Sequence, residues 1–497
     1  MDKLSEIISI LDKSDKIAFL KELKAKNKRH DAKNIDLFKM LETDDIKGIK
    51  KIYPNAKNRD AYHALRKRLS ENLVEFLSNR IFEKNAEEMH ESLRYLVVSR
   101  YFIQHQFFQL AHRFLKKAEK QALKLEQYSL LHEIYQTQLE NDGFVKTEDF
   151  EEIQQKIQQN IQQIAFESQL KLAYHFVRIQ INEMHLNKKI IDFEALIIES
   201  LEKFNLDLRQ IMSYRSLSQI LFIANEFAHI QQDFTRVEPF FKKALKFLES
   251  KQENKDLHLE EHLQIFYFLA NYTFRTHQFE SSLRYLTEME NSWKTKKQNL
   301  SSKFIGKWML LTSLNNLFTG KAEKSIEQID QLLKTQTKMA FEEIQDLKMT
   351  KILCMAFLRL PNLRKELHQL NHSDAFFEKK LGMLWTIRKK LLEILVYEQE
   401  EEIELALSRI KSFQRRYKNY LLEVKEARVL TFLKFIEEIL LNPDKLTLKS
   451  FQNKIEHFIQ SETQHDPFVQ CFYVYLESKI RKETAYSLLL TTPIKKS

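Results

Sequence analysis

Glycine and proline, the residues that let a chain turn sharply, number only 5 and 6 among 497 positions, against average usages of about 7% and 5%. Tight β-hairpins, bulges and phosphate-cradling loops need residues that tolerate positive φ. A chain this poor in them has little room for sheets. Lys, Glu, Leu, Gln and Ile dominate instead, and most of these are good helix formers. With 43% hydrophobic and 30% charged residues, the chain can bury a large core and keep a wettable surface. The composition therefore predicts an all-α protein.

A largely apolar pattern at i, i+3, i+7 and i+10 recurs nine times, starting at Phe108, Phe150, Phe193, Phe234, Phe279, Ala322, Leu360, Ile403 and Leu448. Successive starts lie 38 to 45 residues apart, by subtraction of these numbers. A steady period in this range is the mark of stacked helical hairpins, each burying an apolar face against the next. The second and third units are the weakest, with Asn160 and Ser200 standing where apolar residues are expected. Length alone would suggest about three domains. The repeat favours one elongated array instead.

Small residues recur inside the units. Tyr95, Val98, Ser99 and Phe102 precede Phe108, Ala111, Leu115 and Ala118; Phe266, Leu269 and Ala270 precede Phe279, Ser282 and Leu286; Ser313 precedes Ala322, Ser325, Ile329 and Leu332. Gly320-Lys321 reads as a hairpin turn, glycine supplying a left-handed helix exit. Over roughly residues 90–480 these positions resemble the tetratricopeptide repeat, in which a small residue in each helix lets the two backbones approach. The resemblance implies an α-solenoid of about nine stacked antiparallel hairpins with a small helical N-terminal cap. The spacing departs from that family's 34 residues and nears HEAT or armadillo lengths, and the family's tryptophan and Leu-Gly pair are missing. Another α-solenoid type or a non-repeating helical bundle stays open.

Three segments follow: a basic helical cap over 1–86, the repeat array over 87–485, and a flexible tail over 486–497. The net charge of +10 is uneven. Residues 1–80 hold 19 Lys/Arg and 13 Asp/Glu, so they carry +6 of it. Lys26, Lys28 and Arg29 form one basic group, and Lys57, Arg59, Arg66, Lys67 and Arg68 another, candidates for a nucleic acid or other polyanion. Asp31, Asp36, Asp44, Asp45 and Asp60 among them allow a plain solvated surface as well. Cys354 and Cys471 lie in apolar helical stretches and read as buried free thiols of a reducing compartment. No secretory signal and no run of about 18 apolar residues is visible, so the expectation is a cytoplasmic protein outside the membrane.

Motifs of catalysis are scarce. His258-Leu-Glu-Glu-His262 fits H-x-x-E-H, which can place two imidazoles and a carboxylate around zinc. It stands at a polar helix start, and the expected state is a solvated helix turn. No G-x-G-x-x-G, phosphate loop, G-x-S-x-G or C-x-x-C occurs. The acidic run from Glu398 to Glu404 reads as a solvated face. The expected function is thus non-enzymatic, without cofactor or metal: a scaffold whose leading helices present polar residues to a protein or peptide. Helical phase nominates Arg100, Gln104, Asn225, Asn271, Arg275 and Asn315 as exposed positions on that wall. The alternative is a nucleic-acid-binding or regulatory protein acting through the cap.

Overall fold

The structure, a computed structural model, describes residues 4, 7–8, 11–26, 33–43, 59–84, 88–142, 150–187, 193–206, 213–231, 234, 237–251, 257–294, 301–335, 339–424, 426–460, 466–481 and 483–491. Every regular element among them is helical. The chain divides into two compact units, Met1–Gln158 and Gln159–Ser497.

Unit 1 opens with α1 (Lys13–Lys26), α2 (Lys33–Glu42) and α3 (Arg59–Lys84), each packed on the other two. Phe19 is the keystone: its ring lies 5.2 Å from both Phe38 and Phe76, over buried Leu23, Leu37, Leu69 and Leu73. Next come α4 (Glu88–Gln104), α5 (Phe108–Lys124) and α6 (Tyr128–Asp142), again packed in pairs. The division between units falls inside α7 (Phe150–Asn187), a single helix of 38 residues. Where the repeat needs a turn near the middle of this stretch, the sequence offers no glycine or proline, and the helix simply continues.

Unit 2 continues with α8 (Phe193–Lys203), α9 (Tyr214–Gln231), α10 (Glu238–Ser250), α11 (Leu259–Arg275), α12 (Phe279–Lys294), α13 (Ser301–Phe318), α14 (Ala322–Lys334) and α15 (Phe341–Phe357). It ends with α16 (Leu363–Leu367), α17 (Asp374–Leu381), α18 (Met383–Gln399), α19 (Ile403–Glu423), α20 (Ala427–Leu441), α21 (Lys449–Gln460), α22 (Pro467–Arg481) and α23 (Ala485–Thr491). Helices adjacent in sequence pack together, as in α11 with α12 and α13 with α14. Alternate helices also form a row: α9 lies on α11, α11 on α13, α13 on α15 and α15 on α18. Of the nine pattern starts, Phe108, Phe150, Phe193, Phe279, Ala322 and Ile403 are each the first residue of a helix, whereas Phe234, Leu360 and Leu448 precede theirs.

The turns explain how so few glycines suffice. Gln106, His277, Arg359 and Glu401 adopt left-handed φ of 64°, 58°, 53° and 61°, and Gly320 adopts 80°. In each turn the following N–H reaches back five residues: Phe107 to Phe102 O (2.8 Å), Gln278 to Thr273 O (2.7 Å), Lys321 to Asn316 O (2.8 Å), Leu360 to Met355 O (3.0 Å) and Glu402 to Tyr397 O (2.9 Å). This bond satisfies an orphan carbonyl at the helix end and fixes the reversal. Four of these five turns, and the like turns at Glu126 and Asn205, bear the left-handed strain on a side-chain-bearing residue, about 1–2 kcal/mol each.

Small residues then close the hairpins. Ser99, Ala111, Ala270, Ser282, Ser313 and Ser325 are fully buried. The hydroxyl of Ser282 donates to Ala270 O at 2.7 Å, and that of Ser325 to Ser313 O at 3.3 Å. The backbones meet where these side chains leave room, as the sequence anticipates.

The last described segment does not trail away. Residues 485–491, which the sequence assigns largely to a flexible tail, form α23 with Leu488 and Leu489 buried. The Tyr486 hydroxyl accepts the Ala322 N–H at 3.1 Å. On α22, Tyr475 donates its hydroxyl to Glu398, and Lys479 Nζ reaches the same carboxylate at 2.5 Å. The acidic run is therefore not merely solvated: Glu398 holds α22, while Glu400 and Glu402 accept from the Arg364 backbone and guanidinium, each at 3.0 Å. Chain segments distant in sequence thus meet within unit 2, beyond nearest-neighbour stacking.

A polar cluster on the leading helices of unit 2

The six residues nominated for partner capture part company. Arg100 and Gln104 belong to unit 1. Arg100 is committed to Glu133 (2.6 Å) and Thr137 (3.4 Å) on α6, while Gln104 is exposed. Asn315 is not on a surface at all. It is fully buried, and its amide donates to Ser282 Oγ (2.9 Å) and Leu311 O (2.8 Å), tying α13 to α12. Helical phase misplaces it because a leading helix also buries the polar groups that staple it to its neighbours.

Asn225, Asn271 and Arg275 do converge, although Asn225 is buried and the other two are only partly exposed. Asn271 Nδ2 donates to Asn225 Oδ1 at 2.6 Å, bridging α11 and α9. Asn225 Nδ2 lies 3.4 Å from Glu226 Oε1. Burial raises the Glu226 carboxyl above its usual range, against the pull of Asn225, Arg275 and Lys307. Burial likewise lowers the Arg275 guanidinium to about 10, helped by the like charge of Arg388, so it stays a cation near neutrality. Its Nη1 donates to the Asp466 carboxylate, 191 positions away.

The next helices extend the cluster. Lys307 on α13 is exposed and its ammonium lies 5.9 Å from the centre of the Tyr267 ring. On α15, Asp346 Oδ1 accepts the indole N–H of Trp385 at 2.7 Å. Burial raises this carboxyl to about 6, while that hydrogen bond and Arg388 oppose the rise. Arg388 on α18 lies 5.0 Å over the ring of Phe468. Among the described residues it makes no hydrogen bond or ion pair, yet solvent still reaches it. Burial lowers its pKa below the usual arginine value, with Asp346 and Glu426 acting the other way. With no bonded anion among the described residues, Arg388 keeps guanidinium donors available on a partly exposed side chain.

Sequence reasoning missed Glu226, Tyr267, Lys307, Asp346, Trp385, Arg388, Asp466 and Phe468. All but Trp385 are among many residues of their kind in a Lys- and Glu-rich helical chain, and only the packing of helices distant in sequence brings them together. Trp385 offers the faintest signal, being one of three tryptophans and three residues before Arg388.

The polyanion nominees are less available than their charge suggests. Lys26 is paired with Glu22 (2.9 Å) and Glu75 (2.8 Å), and its ammonium is held above the usual lysine range, first by the bond to Glu75. Arg66 donates to Tyr62 at 3.1 Å; Lys67 and Arg68 are exposed, with Glu71 3.9 Å from Lys67. Lys28, Arg29 and Lys57 lie outside the described residues, as does the side chain of Arg59.

The H-x-x-E-H motif is not the solvated turn expected of it. His258 stacks on buried Tyr214 at 4.6 Å, and His262 packs edge-on to Phe266 at 4.4 Å. Both imidazoles are buried, and the intervening Glu260 pairs with Lys303. Among the described residues no three His, Cys, Asp or Glu gather to hold a metal, and no helix is long and apolar enough to cross a membrane. No family model, curated protein or solved structure matches the chain.

Proposed function

We propose that unit 2 is an array of helical hairpins that captures a segment of another protein on the polar cluster of its leading helices, without catalysing a reaction. The reading rests on one observation above the rest: Arg388, partly exposed to solvent, has no hydrogen bond or ion pair among the described residues. A partner's carboxylate or carbonyl would supply what is missing, and arginines in such positions dominate many interfaces. The row of alternate helices supports it as well, because a stack of hairpins lines up side chains from successive units along one face. The carboxamides of Asn225 and Asn271 can each exchange one partner for the N–H and C=O of an incoming backbone.

The test is selection of peptide ligands on the purified protein, followed by Arg388→Gln and Lys307→Ala. Either change should weaken the selected ligands about tenfold or more while leaving the melting temperature where it was. Ligands that bind both variants as well as the parent would refute this location.

A further inference from the structure

The cluster is already in contact with a piece of its own chain. Asp466 and Phe468 flank Pro467 at the start of α22. Asp466 Oδ1 accepts the Phe468 N–H at 2.9 Å, capping the helix, while Oδ2 is held by Arg275 of α11. Phe468 places its ring beneath Arg388 of α18 and edge-on to Phe472 at 5.2 Å. Two arginines from separate helices are thus met by a carboxylate and an aromatic ring two residues apart.

We infer that the cluster is a receptor for an acidic–aromatic protein segment, a carboxylate followed two positions on by an aromatic ring, and that Asp466-Pro467-Phe468 occupies it until a partner displaces it. The inference rests on the peptide-capturing function above and supplies its ligand chemistry. Guanidinium groups favour carboxylates by paired hydrogen bonds and aromatic faces by cation–π attraction. The resting occupant provides both at the spacing the two arginines dictate. Displacement need not undock α22. Its later turns are held separately by Glu398 through Tyr475 and Lys479, and α23 by Tyr486 and its buried leucines. Only the first turn has to yield.

The experiment uses the full chain and a fluorescein-labelled peptide copying residues 463–470. In Asp466→Asn/Phe468→Leu the helix keeps a capping side chain, since asparagine caps as well as aspartate, but both resting contacts are weakened. By fluorescence polarisation this variant should bind the peptide about tenfold more tightly than the wild-type chain. Adding Arg275→Gln or Arg388→Gln should return it to the wild-type level, and a peptide with both Asp466→Asn and Phe468→Ala should not bind. Equal binding by wild type and released variant, or binding indifferent to both arginines, overturns the inference. Should the double variant melt early, Phe468→Leu alone, which leaves the Asp466 cap in place, is held to the same outcomes. A random peptide library on the released variant separates the two levels. Enriched ligands lacking the acid–aromatic spacing sink this inference and leave the broader one standing; no enrichment at all sinks both.

Discussion

Helices α4 and α22 are of similar length, 17 and 15 residues, and both carry near-continuous apolar runs. Their fates differ. In α4 of unit 1, Ser92, Leu96 and Ser99 are buried, while Leu93, Val97 and Tyr101 stay exposed. In α22 of unit 2, seven consecutive residues from Gln470 to Leu476 are all buried, which covers every face of the helix. The first packs on α5 and α6, its neighbours in sequence. The second is met in addition by Glu398, 77 and 81 positions from its partners Tyr475 and Lys479. Local stacking buries a stripe; full burial requires the chain to return from far away.

Truncation in the two helices is the strongest way to break this contrast. Leu476→Ala in α22, at a fully buried position, should lower the stability of unit 2 by about 2–5 kcal/mol in denaturant titration. Val97→Ala in α4, more than half exposed, should change stability by no more than about 0.5 kcal/mol. Equal losses would mean that α4 is covered as thoroughly as α22.

The return contact itself comes next. Glu398→Gln removes the carboxylate shared by Tyr475 and Lys479 and should cost about 2 kcal/mol, since hydrogen bonds to charged groups contribute about 1.5–3. A cycle with Lys479→Ala should show coupling; strictly additive losses would place the anchoring of α22 elsewhere.

Asp346 sharpens the comparison through pH. Its carboxyl is raised from 3.8 to about 6 by burial, so the folded chain binds this proton more tightly than the unfolded one. The associated stability is present in full below about pH 4 and is lost as pH rises through about 6. Asp346→Asn should flatten that slope in melts from pH 4 to 7. It should also gain about 1–2 kcal/mol at pH 7, discounted for the group's partial exposure. A steeper slope would reverse the sign of the burial effect.

Modest effects belong to the turns. Gly320→Ala should cost about 1 kcal/mol, from left-handed strain and not from crowding, because a Cβ there would meet only Leu490, at 3.8 Å. His277→Gly should have the opposite sign, or none. A large loss from His277→Gly would show that the imidazole matters more than the turn it sits in.

Much of the helical framework was legible in advance. The pattern starting at Phe108, Phe279, Ala322 and Ile403 located helix beginnings, because apolar residues spaced i, i+3, i+7 and i+10 form one stripe only if the chain is helical from there on. Ser282 and Ser325 were legible too, since only small residues let backbones touch. Gly320 announced its turn, whereas Gln106, His277, Arg359 and Glu401 gave no warning: left-handed strain on a bulky residue is tolerated only when the packed helices on either side impose it. Asn315 was misread as surface because a polar residue bonded across a hairpin has the same periodicity as one facing water. Residues 486–491 were misread as tail because nothing local says that Leu488 and Leu489 find a core.

What the amino-acid sequence determined by itself was the helical character of the described chain and the rhythm at which helices begin, because composition and apolar period act within a few turns. Which charges meet was decided only by tertiary structure. Arg275 and Asp466 are 191 residues apart, and their pairing, like the placing of Phe468 beneath Arg388, depends on how successive helices rotate and where the last one comes to rest. That rotation accumulates over many small packing choices, none of which is written at a single position.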